Sequence, residues 1–242
     1  MENILAAEIE AENAKMYRAK RMLLYFGIFS IVMLFAGLTS AYVVSMNGEF
    51  WVNIALPQAF YNSTIIILAS SATIQLAVYS AKNNKQTLLK LGLLFTFILS
   101  IAFTISQYEG WNQLFAKGQH VSGYFESIKG EYGTDYTITY KGKELVYDAG
   151  KYYFPEDVAK ENPVNGELET KSNRASSFML MLSALHVFHL LGGLLYLVVV
   201  IVIAMLNKFG SSNYLKVKQC ATYWHFLDGL WIYLFLFLLF IH

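Results

Sequence analysis

Four ionisable side chains stand inside stretches that carry no other charge: His186 and His189 in the run 178–206, and His225 and Asp228 near the start of the run 222–241. An ionisable group in hydrocarbon costs about 2.5–3.5 kcal/mol on insertion scales, so such groups persist where they form a site or a packed polar contact. Three chemistries fit these residue types. Imidazole is the commonest metal ligand, which allows haem or metal ligation. An aspartate beside a histidine allows a proton relay of the kind pumps use. The third is packing, in which the polar groups bond one another, a neighbouring helix or a lipid headgroup.

Spacing narrows the geometry without choosing among these. His186 and His189 are three apart and share a helix face. At a rise of about 1.5 Å per residue, His189 lies roughly 18 Å from the start of its run and Asp228 on the order of 10 Å from the start of its own. The two runs cross in opposite directions through about 30 Å of hydrocarbon, so these depths nearly coincide and His189 is expected to meet Asp228. His225 sits about a turn away from Asp228 on the same face. A haem held by two histidines needs matched depths on facing helices, and His186 and His225 are mismatched. Trp224, Trp231 and Tyr233 read as interfacial belt or core.

The elements that must position these residues are membrane spans. Hydrophobic residues make up 56% of the chain and charged residues 14%, where a soluble domain carries about a quarter charged. The runs Met22–Val44, Ala59–Ser80, Thr87–Tyr108, Phe178–Leu206 and Thr222–Ile241 each reach the roughly 20 residues that a crossing needs. The expected fold class is an all-α integral membrane protein, a five-transmembrane-helix bundle. Lys15, Arg18, Lys20 and Arg21 precede the first span, Lys82, Lys85 and Lys90 lie around the second connection, and Lys208, Lys216 and Lys218 around the last. The loop 45–58 has no Lys or Arg. By the positive-inside rule the N-terminus is cytoplasmic and the C-terminus extracytoplasmic. The acidic start, Met-Glu-Asn through Glu12, is not expected to act as a signal peptide. A net charge of +1 gives no footing for nucleic acid. Cys220 is the single cysteine, which excludes an intrachain disulfide and a cysteine-based cluster within this sequence.

Small residues in the first span (Ala36, Gly37, Ser40, Ala41) and the Gly192-Gly193 pair are expected to pack helices closely. Ser and Thr in the second span are expected to bond back to their own helix, while Asn62 and Gln75 are expected to bond another. Residues 109–175 form a long extracytoplasmic insertion. Within it, Tyr136–Tyr140, the turn Lys141-Gly142-Lys143 and Glu144–Tyr147 predict a small β-hairpin, and Ala149-Gly150 predicts a second turn before Tyr152-Tyr153-Phe154. So small a unit is expected to lean on the helix ends or a neighbouring subunit. The chain then divides into a cytoplasmic segment 1–21, spans one to three at 22–108, the insertion at 109–175, and spans four and five at 176–242.

Taken together, these motifs resemble subunit III of the haem–copper respiratory oxidases. Tyr223-Trp224-His225-Phe226-Leu227-Asp228-Gly229-Leu230-Trp231 is similar to that family's closing segment. His186-Val187-Phe188-His189-Leu190-Leu191-Gly192-Gly193 is similar to its paired-histidine helix, with Ser183 where threonine is common. Phe35–Tyr42 and Gln107-Tyr108-Glu109 are similar too. The likeness is to the five-helix bacterial form, in the cytoplasmic (inner) membrane.

The resemblance implies a subunit with no catalytic, cofactor or metal residues of its own. Haem and copper belong to the partner catalytic subunit. It implies packing against oxidase subunits I and II, with subunit IV or an electron-donor complex meeting the 109–175 loop, and contact with phospholipid. His186, His189, Trp224, His225 and Asp228 then form a structural or lipid-contact polar seam, and Gly37, Ala41, Gly192 and Gly193 serve helix packing. The chain departs from the family in three ways. It lacks the first two helices of the seven-helix members, Ile31 stands where a membrane glutamate is common, and the outer loop is longer. From the residues alone, a haem-binding quinol-oxidising anchor and a transporter stay open as alternatives.

Overall fold

The computed structural model describes residues 2–48, 50–207, 209 and 214–241; expectations resting on Met1, Lys208 and His242 lie outside them. Five helices are long and apolar enough to cross a membrane: α1 (Glu2–Met46), α2 (Gln58–Lys82), α3 (Gln86–Ala116), α5 (Arg174–Met205) and α6 (Leu215–Phe240). A short α4 (Asn165–Glu169) and the strands β1 (Phe50–Ile54), β2 (Tyr136–Tyr140), β3 (Lys143–Glu144), β4 (Val146–Asp148) and β5 (Lys151–Tyr153) gather at one end of the bundle, the insertion end. Lys82, Lys85, Lys216 and Lys218 mark the opposite, basic end. The protein is thus an all-α, multi-pass membrane protein carrying a small β unit.

Several helices overrun the expected boundaries, α6 by starting at Leu215 and two others at the insertion end. α3 continues past residue 108 to Ala116, and α5 starts at Arg174. The extension of α3 is held by packing. Leu114 is buried, and a Cβ added at Gly110 would stand 2.5 Å from the Phe60 ring of α2. The start of α5 is pinned by capping. The Asn173 side chain accepts from the Ser176 amide at 3.3 Å and donates to Gln119 Oε1 at 2.6 Å, and Ser176 Oγ donates to the His120 carbonyl at 2.8 Å. These bonds occupy helix-end groups that would otherwise be orphaned.

α2 and α3 form the tightest pair. Their connection turns through Asn84, whose φ of 56° lies in the left-handed region that asparagine tolerates. A Cβ at Gly92 would meet the Thr73 carbonyl oxygen at 3.1 Å, and the Thr73 and Thr96 hydroxyls bond at 2.8 Å. α1 is the loosest. Its inward residues Phe35, Thr39 and Tyr42 are buried at the insertion end, while Met22, Tyr25, Phe26 and Phe29 toward the basic end are exposed. Tyr42 anchors it, with its ring 4.9 Å from Trp51, 5.1 Å from Phe237 and 5.6 Å from Phe178.

The β unit is larger than a hairpin. β2 pairs with β3 across Lys141-Gly142, and on its other edge β2 pairs antiparallel with β1, with Val52 opposite Ile138. The connection between α1 and α2 therefore supplies a strand that its length had not suggested. β4 and β5 form a second hairpin through Ala149-Gly150, both at positive φ. Tyrosines tie the two sheets together. Tyr136 and Tyr152 share a hydroxyl bond of 2.8 Å, and Tyr132 donates to the Leu145 carbonyl at 2.6 Å. Burial, then the Tyr136 bond, pushes the Tyr152 phenol up from its ordinary pKa. At the base, Lys117 pairs with Asp135 at 2.7 Å, and this hydrogen bond holds the Asp135 carboxyl below the usual carboxylate range.

Candidate functional site

α6 meets α2 through two indoles and an imidazole, each bonded to a hydroxyl or amide of α2. Trp224 Nε1 donates to Ser70 Oγ at 3.1 Å, and Trp231 Nε1 donates to Thr64 Oγ1 at 3.0 Å. Between them His225 bridges Ser71, at 2.8 Å from Nδ1, and Gln75 Oε1, at 3.1 Å from Nε2. An amide oxygen only accepts, so Nε2 carries the proton and Nδ1 accepts from the Ser71 hydroxyl. The pattern runs antiparallel along the pair. Trp224 and Trp231 are seven apart on α6, which keeps both on one face over two turns, and their acceptors on α2, Ser70 and Thr64, are six apart.

Asp228 lies on the same face of α6. Its Oδ2 is 3.9 Å from His225 Nδ1, and its side chain is 4% exposed against 36% for His225. Both carboxyl oxygens are buried without a hydrogen-bond partner among the described residues. The cluster therefore has an inner group, Asp228, and an outer group, His225, which reaches the surface of the chain.

The expected meeting of His189 with Asp228 gives way to a different arrangement. His189 Nδ1 donates to the Leu185 carbonyl of its own helix at 2.7 Å, and its ring meets Phe35 of α1 at 5.8 Å. His186 points elsewhere. It is fully buried, with its ring 5.8 Å from Phe103 of α3 and 5.3 Å from Trp231 of α6, and neither nitrogen has a hydrogen-bond partner among the described residues. Three residues turn a helix by about 300°, which leaves the two rings roughly 60° apart and sends them to different neighbours. The two histidines, His225 and Asp228 are thus not one cluster. Trp231 is the residue that joins His186 to the α2 contacts.

The glycines divide likewise. A Cβ at Gly193 would stand 3.1 Å from the Tyr223 ring and 3.2 Å from Leu227, so this glycine sets the approach of α5 to α6. At Gly37 and Gly192 a Cβ would meet nothing within 4 Å, and Ala41 is exposed. Among the described residues Gly37 and Gly192 thus set no close helix approach, and on α1 it is the large residues Phe35 and Tyr42 that turn inward.

Sequence reasoning missed Thr64, Ser70 and Ser71, which it assigned to bonds within their own helix. Ser70 does bond back, to the Ile67 carbonyl at 2.8 Å, while also accepting from Trp224. Gln75 does bond another helix. The hydroxyls of α2 at 64, 70 and 71 recur at nearly the interval that separates the two tryptophans on α6, and that was the available signal. Among the described residues, no three of His, Cys, Asp and Glu come together as a metal would require.

No family model matches the sequence. Individual proteins do. Cytochrome c oxidase subunit 3 of Spodoptera frugiperda is 25% identical over 175 residues, which cover 72% of this chain and 83% of that protein. The proteins of the same name from Locusta migratoria and Drosophila melanogaster are 25% and 26% identical over 72% of this chain, and there the match spans 46% and 47% of the relative's own length. At this level of identity the chain is similar to proteins named cytochrome c oxidase subunit 3.

Proposed function

We propose that this chain is the non-catalytic subunit III of a proton-pumping haem–copper terminal oxidase, the membrane complex that reduces oxygen to water. One observation carries the reading: similarity over 72% of the chain to several proteins that bear the subunit's name. In this reading haem and copper sit in the catalytic subunit I, and this chain packs beside it, with subunit II close by. His186, His189, Trp224, His225 and Asp228 hold the bundle together and offer His225 to lipid or to the partner. Gly37 and Gly192, where an added Cβ would meet nothing within 4 Å among the described residues, and the exposed Ala41 face that partner or lipid.

The chain sits in a bacterial cytoplasmic membrane with its basic end inside and the 109–175 insertion outside, where it meets subunit IV or an electron-donor complex. Residues 1–21 are cytoplasmic.

The test is composition. The native complex is extracted in mild detergent with an affinity tag on this chain, and its polypeptides and visible spectrum are recorded. Haem–copper subunits in stoichiometric amount are the expected result. Recovery of the chain without them would remove the reading.

A further inference from the structure

A pocket of about 400 Å³ opens between α3 and α5 at the insertion end. This lies within the size range of ligand pockets, about 300–1,000 Å³. Trp111 and Phe115 of α3 line one side, Phe178 and Met181 of α5 the other, and Val121 of the connecting segment completes the lip. Its walls are fixed by hydrogen bonds. Trp111 Nε1 donates to Ser183 Oγ at 3.0 Å and ties α3 to α5. The segment 119–121 is strapped to the start of α5, since the carbonyls of His120 and Val121 accept from the Ser176 and Ser177 hydroxyls at 2.8 and 2.5 Å, and Gln119 accepts from Asn173. The Phe115 ring stacks on His120 at 5.5 Å. A pocket already held in shape has little ordering to do when it is filled.

This pocket stands outside the hydrocarbon. Glu109 is an exposed charge on α3, and Trp111 and Phe115 follow it on the outward side. Phe115 is about 9 Å farther along the helix than Glu109. The bond from Trp111 to Ser183 brings the first turns of α5 to the same outer level. Phe115, Val121 and Met181 are nonetheless exposed. Acyl chains end near the level of Glu109, so they do not cover this surface. Exposed apolar surface in contact with water marks a site of protein association, and the large anchors of an interface seat in pockets of this kind.

One charge borders the apolar lining. Arg174 lies at the rim and is exposed, and no ion pair of Arg174 is found among the described residues. Its guanidinium fork complements a carboxylate. We propose that this pocket docks an extracytoplasmic segment of a neighbouring polypeptide, one that seats a large apolar side chain against Trp111 and Phe178 and sets an aspartate or glutamate on Arg174. This deepens the outer docking proposed above by naming its place and its chemistry. It rests on the insertion lying outside, and not on which subunit supplies the segment.

The photoreactive residue p-benzoylphenylalanine is placed at Val121, and native membranes holding the full complex are irradiated. One peptide of one neighbouring polypeptide should be captured, with an aspartate or glutamate within about four residues of the captured position. Arg174→Glu should lower the yield about fivefold, and arginine in place of the captured peptide's carboxylate should restore it in that background. Ala184→Trp, at an exposed position in the lining, fills the pocket from within and should lower the yield without any change of charge. The same photoreactive residue at Val158, exposed and outside the pocket, should respond to neither variant. Adducts to lipid alone, a captured peptide without a carboxylate, a charge swap that restores nothing, or a yield unchanged in both variants would overturn the proposal. If the tagged chain purifies without oxidase subunits, the irradiated membranes still report the captured peptide and its charge swap, so failure of the oxidase reading leaves this result separately readable.

Discussion

Burial separates bonds that matter from bonds that decorate. Trp224 is buried with its indole N–H on Ser70, so Ser70→Ala leaves a donor without a partner inside a dry interface. The expected loss is about 1–3 kcal/mol, read as a lower unfolding midpoint in mixed micelles. Gln75→Ala removes an acceptor from His225, which still has Ser71 and reaches the surface. Its expected cost is about 0.6 kcal/mol or less. In the insertion, the Asp135 carboxyl is held low by Lys117. A carboxyl depressed in the folded state contributes stability that is fully present above its unfolded pKa, about 3.9, and is lost as pH falls through the lower folded value. Hydrogen exchange of the 131–136 turn, corrected for intrinsic rate, should therefore quicken as pH drops through that window, and Lys117→Met should abolish the step. Legibility at this scale was uneven. Residue types marked His225, Asp228 and Trp224, because a polar group in an apolar run is visible in one dimension. The partners on α2 were not visible, because serine and threonine satisfy themselves within a helix and give no sign of a second bond.

Between elements, the close approaches rest on glycines that look alike in sequence and differ in space. Gly193→Leu should force α5 from α6, since even its Cβ meets Tyr223 and Leu227. Overpacking of this kind costs about 1–3 kcal/mol. Gly192→Leu should leave the midpoint within about 0.5 kcal/mol, as surface changes do. Parallel thermal unfolding of the two variants in one detergent checks the contrast, and equal losses would refute the assignment of roles. The spans themselves were plain, because a run of some 20 uncharged residues has few other uses. Strand β1 was not. Phe50-Trp51-Val52-Asn53-Ile54 is strand-like in composition, but its partner is distant in sequence, with Asn53 bonding Thr137 across 84 positions. The overrun of α3 was hidden for a related reason, since Gly110 weakens a helix on propensity alone and only the Phe60 ring of α2 explains why it is there.

For the molecule as a whole, α1 behaves as an arm hung from one joint. Tyr42 touches Trp51 of β1, Phe178 of α5 and Phe237 of α6, and Thr39 bonds Tyr233 of α6 at 3.0 Å nearby. Tyr42→Ala should cost about 3–5 kcal/mol, as large aromatic truncations do. It should also expose residues 46–48 to protease before the rest of the chain melts, which timed digestion in detergent would read. Simultaneous cutting everywhere would mean that α1 is not separately hinged. The pairing of β1 with β2 carries one more consequence. The first hydrophobic hairpin to enter the bilayer, α2 with α3, must already be threaded, and the polypeptide beyond it delivered across, before residue 138 can meet residue 52. The 50–54 strand therefore waits unpaired through much of synthesis, and its closure is a late latch. That latch forms only when both connections emerge on the same side, so a chain inserted with the wrong parity has no way to complete it.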